Sequence, residues 1–371
     1  MHRGLYSRRH TMKVAAGLGA AAVGLSSTAE GAAEPQVEGV EVKLAGYAYD
    51  RVRAIQEGRL PLDGCAVTFH VENIYNLNRQ LFGPERPYEV SEIGLIPYLT
   101  KFANEAFRAY TLLPVFISRT FRHRNIFVRT DRGIEKPEDL RGKRVATPGY
   151  GMSSHTWIRG FLQDIYGVKP DELRWIETTE SSDGGKWHSN YKKCFLPEDF
   201  PIKKGPPGVD ESDLIVSGEV DALITAIEPR AYAEGHPKVR RLFPNVRAVE
   251  REYYKQTGVF PIMHAVAVRR EFADEHPQRL LEICSMYSQA KQHAYEDLAT
   301  AGVLKVTLPW ANEELEETRA LMGPNFWPYG VAANRKELEL VTRYTHEQGL
   351  TKRRVRVDEL FHPATLAWTE A

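Results

Sequence analysis

Short apolar runs with strand spacing alternate along this chain with stretches of helical spacing. VEVKLAGYA (40–48) alternates polar and apolar positions before turning wholly apolar, the pattern of a strand entering a core. YDRVRAIQEGRL (49–60) has helical spacing and stops at Gly58 and Pro61, after which CAVTFHVE (65–72) is a second strand. NIYNLNRQLF (73–82) is helical, YEVSEIGLIPYLTKFANE (88–105) is a strand feeding a helix, and TLLPVFIS (111–118) and NIFVRT (125–130) are strands. LRGKRVATPGYG (140–151) reads as loop, strand and glycine turn. SSHTWIRGFLQDIYG (153–167) then predicts a helix with serine at its N-cap and Gly167 just past its end. A strand at 173–178, an irregular tract at 181–210, a helix over 213–220 and a strand over 221–227 follow. So long a tract in a compact domain points to a lid or binding loop. IMHAVAVRR (262–270) is the last strand, and from residue 277 onward every pattern is helical.

This alternation predicts an α/β protein with sheets layered by helices. The order further suggests a lobe begun at 34–123, interrupted by a second α/β lobe at 124–262, and completed by the C-terminal helices of 263–371. Two hinge strands, around 124–130 and 263–269, would join the lobes into a clamshell that closes on a ligand between them.

Composition and charge narrow the functional classes. The 371 residues carry 49 basic and 49 acidic side chains, which gives no general reason to bind nucleic acid. That zero is a sum of unlike parts. Residues 1–33 hold Arg3, Arg8, Arg9 and Lys13 against Glu30, a charge of +3, so the remainder carries −3. A basic start, a short apolar run at 14–25 and small residues up to Ala33 form an export signal. SRRHTMK (7–13) has its arginine pair where a twin-arginine signal would, which places the mature protein in the periplasm. No later segment is long and apolar enough to predict a membrane span. The three cysteines at 65, 194 and 284 suit neither a disulfide framework nor a zinc site and read as small buried hydrophobes. Phosphate-loop and dinucleotide motifs are absent, the histidines form no ligand-spaced cluster, and GYGMSSH (149–155) lacks the closing glycine of a nucleophile elbow. No metal and no cofactor is expected.

Four clusters carry candidate chemistry. Around GYGMSSH, Gly149 and Gly151 allow a tight turn, and Ser153, Ser154 and Thr156 offer hydroxyls at a helix N-terminus, where free N–H groups attract an anion. Tyr49, Asp50 and Arg51 stand directly after the first strand, where open α/β sheets bind ligands. Arg122 belongs to FRHR (121–124) at the expected crossover, and Arg230 ends a strand in EPR (228–230). Arginine forks suit carboxylates, so together the four clusters outline a cleft for an anionic aromatic molecule.

YDR (49–51), FRH (121–123), LRGKRV (140–145), RLFP (241–244), YYKQTGVFPIMH (253–264), YGVAANR (329–335) and HEQGL (346–350) resemble the 4,5-dihydroxyphthalate decarboxylases, in the same order and over nearly the whole mature chain. That family is in turn similar to type II periplasmic binding proteins, which share the two-lobed clamshell. The resemblance implies an aromatic dicarboxylate ligand and loss of carbon dioxide without an organic cofactor. Such a reaction needs a proton donor at the ring carbon that bears the departing carboxylate, and groups that hold the remaining charge. His123, His264 and His155 are the candidate donors. Arg51, Arg122 and Arg230 would hold carboxylates, and Tyr49 and Asp50 would bind ring hydroxyls. A second reading stays open, in which the export signal marks a solute-binding protein that delivers a carboxylate to a membrane permease of an ABC-type transporter. The decarboxylase is the leading expectation.

Overall fold

The computed structural model describes residues 39–184 and 194–370. The expected export signal at 1–33, residues 34–38, residues 185–193 of the irregular tract and residue 371 lie outside them. In chain order the first stretch holds β1 (Val40–Gly46), α1 (Arg53–Gln56), β2 (Cys65–Val71), α2 (Ile74–Phe82), β3 (Val90–Gly94), α3 (Leu95–Asn104) and β4 (Tyr110–Arg119). The second holds β5 (Ile126–Arg129), β6 (Arg144–Pro148), α4 (Ser153–Tyr166), β7 (Arg174–Thr178), β8 (Ile202–Lys204), α5 (Glu211–Ser217), β9 (Ala222–Ile224), α6 (Arg230–Ala233), β10 (Val239–Arg241) and α7 (Val246–Thr257). The third is β11 (Ile262–Arg269), α8 (Arg270–Glu275), α9 (Pro277–Ala299), α10 (Ala311–Met322) and α11 (Arg335–Glu347).

Two sheets result, ordered β2-β1-β3-β11-β4 and β10-β5-β9-β6-β7-β8. In the first, β1 runs parallel to β2 and β3, while β11 runs antiparallel to both β3 and β4. In the second, β6 is parallel to β7 and β9, and β5 is antiparallel to β9 and β10. The chain is therefore two-lobed, and the first sheet closes only when β11 returns between β3 and β4. Each expected hinge strand directly follows a crossing from one sheet to the other. β5 is bonded on both edges within the second sheet and β11 on both edges within the first, which leaves no edge of either for another sheet. The crossings are residues 120–125, with a 3-10 turn at His123–Asn125, and the segment 242–261 that contains α7.

The lobes also meet away from the cleft. Val42 and Leu113 of the first sheet belong to one buried core with Val145, Trp157 and Phe161 of the second lobe. The Trp157 indole N–H donates to the Ile262 carbonyl at 2.8 Å, and Arg159 Nε donates to Gln348 Oε1 at 2.8 Å. Gly160 has no side chain to hold off the Tyr344 ring, so α4 and α11 pack closely. Cys284 is fully buried, as expected of a small hydrophobe, whereas Cys65 and Cys194 are half-buried. Among the described residues no helix is long and apolar enough to cross a membrane.

Candidate active site

β3 is buried along its whole length, VSEIG, because β1 and β11 flank it. A strand so placed is normally a continuous apolar run, yet its middle residue is Glu92, 2% exposed. A carboxylate there must be fully hydrogen-bonded to be tolerated, and three donors converge on it. Tyr47 N–H reaches Oε2 at 3.0 Å, the Tyr49 hydroxyl donates to Oε1 at 2.9 Å, and His264 Nδ1 lies 2.6 Å from Oε1. The β3–β11 register sets the last pair: His264 stands opposite Gly94, which makes Glu92 its diagonal neighbour on the same face. Gly46 contributes by absence, since a Cβ there would lie 3.1 Å from Glu92 Oε2.

His264 also lines a cavity of about 200 Å³ between the lobes. Nδ1 is engaged by the carboxylate, so Nε2 is the nitrogen left for a ligand. Tyr47 stacks beside the imidazole, with ring centroids 6.5 Å apart, and its oxygen accepts from Ile74 N–H at 3.1 Å, so its own O–H remains to donate. Burial holds the Tyr47 phenol above its ordinary pKa, and it stays protonated.

The other wall is built for an anion. α4 starts at Ser153 with Met152 as its cap, and the first intrahelical bond joins Thr156 N–H to the Met152 carbonyl at 3.0 Å. The amides of Ser153 and Ser154 thus lie at the positive end of a 14-residue helix, and both residues line the cavity. Arg122 lines it too. Its Nη1 donates to the Ala226 carbonyl at 3.0 Å and its Nε points to Met263 Sδ at 3.3 Å, which leaves Nη2 without a hydrogen bond among the described residues. Burial lowers the guanidinium pKa to about 10, so it is charged at neutral pH. Asn78 accepts from Gly94 N–H through Oδ1 at 3.1 Å, leaving its NH₂ to donate. The cavity continues past Asn78 and Pro97 toward a wider depression by Phe82 and Lys101. A cavity of about 580 Å³ beside β7 and β8, lined by Arg144, Trp175 and Lys203, is also larger, but it brings no histidine and carboxylate together.

Of the residues expected from the sequence, His264, Arg122, Ser153 and Ser154 meet at this cavity. The others lie elsewhere. His155 is fully buried, three residues past the cap and turned toward β6, with Nδ1 2.9 Å from the Gly149 carbonyl and 3.0 Å from Thr147 Oγ1. Burial drives its pKa down to about 3, so it is a neutral packing residue. His123 is 1% exposed inside an aromatic cage, stacked on Phe161 at 4.2 Å, with Tyr253 at 5.0 Å and Phe243 at 5.5 Å. Among the described residues neither of its nitrogens has a hydrogen-bond partner, and burial lowers its pKa to about 4. The Thr156 hydroxyl is spent on the Met152 carbonyl. Arg230 is exposed and paired to Asp210 and Asp213 at 2.9 and 2.8 Å, which raises its pKa. Arg51 is held between the Tyr49 and Trp327 rings, 3.9 and 4.3 Å from their centroids, and Asp50 pairs with it at 3.1 Å. Tyr49 faces Glu92. Glu92, Tyr47 and Asn78 are the site residues that the sequence patterns did not single out. An acidic residue amid VSEIGLI was the available signal, because a charge in a strand buried on both faces needs a partner.

Known proteins were compared with this chain. It matches the family described as NMT1/THI5 like over residues 117–184. A 4,5-dihydroxyphthalate decarboxylase of Comamonas testosteroni is 34% identical over 329 residues, covering 88% of this chain and 98% of the relative. A protein of the same name from Pseudomonas putida is 31% identical over 216 residues, covering 58% and 82%. Among solved structures, the periplasmic sulfonate-binding protein SsuA of Methylobacillus flagellatus KT superposes with a TM-score of 0.51 at 16% identity, covering 89% of this chain and 93% of that one, a likeness of fold alone.

Proposed function

The chain belongs to the 4,5-dihydroxyphthalate decarboxylase family, and from that premise we propose that it removes carbon dioxide from a hydroxylated aromatic dicarboxylate bound at the cavity between its lobes. The observation that carries this reading is the opposition of two walls: an imidazole fixed by a buried carboxylate, and an anion cradle of Arg122 and the α4 N-terminus. The retained carboxylate sits at the cradle, where a charge-assisted fork and two helix amides hold it. The departing carboxylate lies on the His264 side. In a 4,5-dihydroxyphthalate each carboxylate has a hydroxyl para to it, and that oxygen pushes electron density onto the ring carbon bearing the carboxylate. His264 Nε2–H delivers a proton to that carbon. The carbon–carboxylate bond then breaks, its electron pair returns to the ring, and carbon dioxide leaves. The imidazole regains its proton from solvent, so the sum is one carboxylate and one proton converted to one C–H and carbon dioxide. The Tyr47 hydroxyl is placed to donate to a ring oxygen.

The test is incubation of mature protein (from Glu34) with 4,5-dihydroxyphthalate, following carbon dioxide and the dihydroxybenzoate product. Absence of turnover combined with tight binding of intact dicarboxylate would leave the receptor reading instead, which has the fold and the basic-then-apolar start of the chain in its favour. We place the working protein outside the cytoplasm on the strength of residues 1–33. Recovery from a periplasmic fraction with its N-terminus near Glu34 is the expected outcome, and an intact Met1 on cytoplasmic protein counts against it.

A further inference from the structure

Tyr49 and Arg51 stand one step behind the cavity, and what they do there bears on the proton donor. The Arg51 guanidinium is pinned between two rings and its Nε donates to the Ile117 carbonyl at 2.7 Å, so its fork is used by the protein. One of those rings is Tyr49, whose hydroxyl ends on Glu92. Glu92 in turn ends on His264. The contacts form a line running from Arg51 through Tyr49 and Glu92 to the imidazole.

We propose that Glu92, steadied by Tyr49 and behind it by Arg51, is a positioning residue that fixes the proton on His264 Nδ1 and the orientation of the ring, so that Nε2 is the nitrogen presented to the ligand. This rests on the decarboxylase reading of the same site. The carboxylate is buried and accepts from three donors, of which only the imidazole can take up a proton and become a cation at ordinary pH. A carboxylate so placed selects the tautomer and stabilises the imidazolium, the role of the acidic member in other histidine-based sites. The groups that face this pair from the surrounding elements are Tyr47 and Tyr49 after β1, Tyr75 on α2, Arg122 after β4 and Tyr287 on α9. Glu72 and Asp183 bear on Tyr47 and Tyr75 from farther out. Arg122 opposes a charge on His264, so Glu92 is the local group that offsets it.

The experiment reads the His264 tautomer by nitrogen-15 histidine NMR in ligand-free protein, wild type beside Glu92→Gln and Tyr49→Phe, with kcat and KM for 4,5-dihydroxyphthalate measured alongside. Wild type carries the neutral-form proton on Nδ1, facing the carboxylate. Glu92→Gln offers an amide that no longer demands a donor, so the two tautomers mix, kcat falls by roughly tenfold or more and KM stays nearly unchanged. Tyr49→Phe keeps the carboxylate and therefore the Nδ1–H tautomer. A merely structural role would alter the unfolding midpoint of both variants and leave the tautomer of each as in wild type. Identical His264 tautomer signals in wild type and Glu92→Gln overturn the assignment, and so does an Nε2–H tautomer in wild type if Glu92→Gln does not fold. The tautomer measurement needs no substrate, so a wild-type protein that fails to turn over the dihydroxyphthalate defeats the reaction reading separately.

Discussion

Replacing His123 with phenylalanine should remove a source of acid instability and leave catalysis in place. The imidazole stacks on Phe161 in a cage with no hydrogen-bond partner among the described residues, and burial lowers its pKa from the ordinary 6.5 to about 4. A base whose folded pKa is depressed binds fewer protons folded than unfolded. Its neutral form is therefore compatible with folding above pH 6.5, and stability is lost as pH falls from there toward 4. Two and a half units correspond to about 3 kcal/mol across the whole window, of which about 2.5 kcal/mol is lost between pH 7.5 and 4.5. Phenylalanine fills the cage and does not titrate. Urea unfolding of wild type and His123→Phe at both pH values should show the variant gaining about 2.5 kcal/mol relative to wild type on acidification. A wild-type-minus-variant difference that stays constant from pH 7.5 to 4.5 refutes the reasoning. Loss of turnover in a folded His123→Phe protein would return this residue to the site.

His264→Gln keeps a polar side chain beside Glu92 but cannot carry the proton, so kcat should fall about a hundredfold or more, measured as carbon dioxide release. Arg122→Gln removes the charged fork, so KM or Kd for the dicarboxylate should rise roughly 10- to 100-fold with a smaller change in kcat, read by titration calorimetry alongside the rate assay.

The alternation of strand and helix was legible because each element announces itself locally. β1, β2, β4 and β11 sit where their apolar runs stand, and α4 ends at Gly167, which takes the left-handed conformation at φ 65°. Long-range pairing was less legible. Nothing in IMHAVAVRR states that it inserts between β3 and β4. The site was half visible for a related reason. Arg122 and the serines of α4 stand at chain turns that motifs reveal, but a helix residue's direction depends on where the helix starts. α4 begins at Ser153 with Met152 as cap, one position earlier than a serine cap would place it, and His155 then points into the core. Glu92 escaped because it lies within an apolar stretch and its partner is 172 residues away.

That separation orders events during synthesis. β3 leaves the ribosome long before the strand that will flank it, and at about 5–20 residues per second the gap from Glu92 to His264 is roughly 10–30 s. Throughout that interval the entire second lobe is being made, and the buried acid of the first has no imidazole to meet. The half-made first lobe therefore keeps the Glu92 side chain in water, and its sheet cannot finish collapsing. Completion of that sheet and birth of the acid–base pair are one event in time. A translocation route that admits only folded chains would accordingly carry none in which Glu92 and His264 had yet to meet.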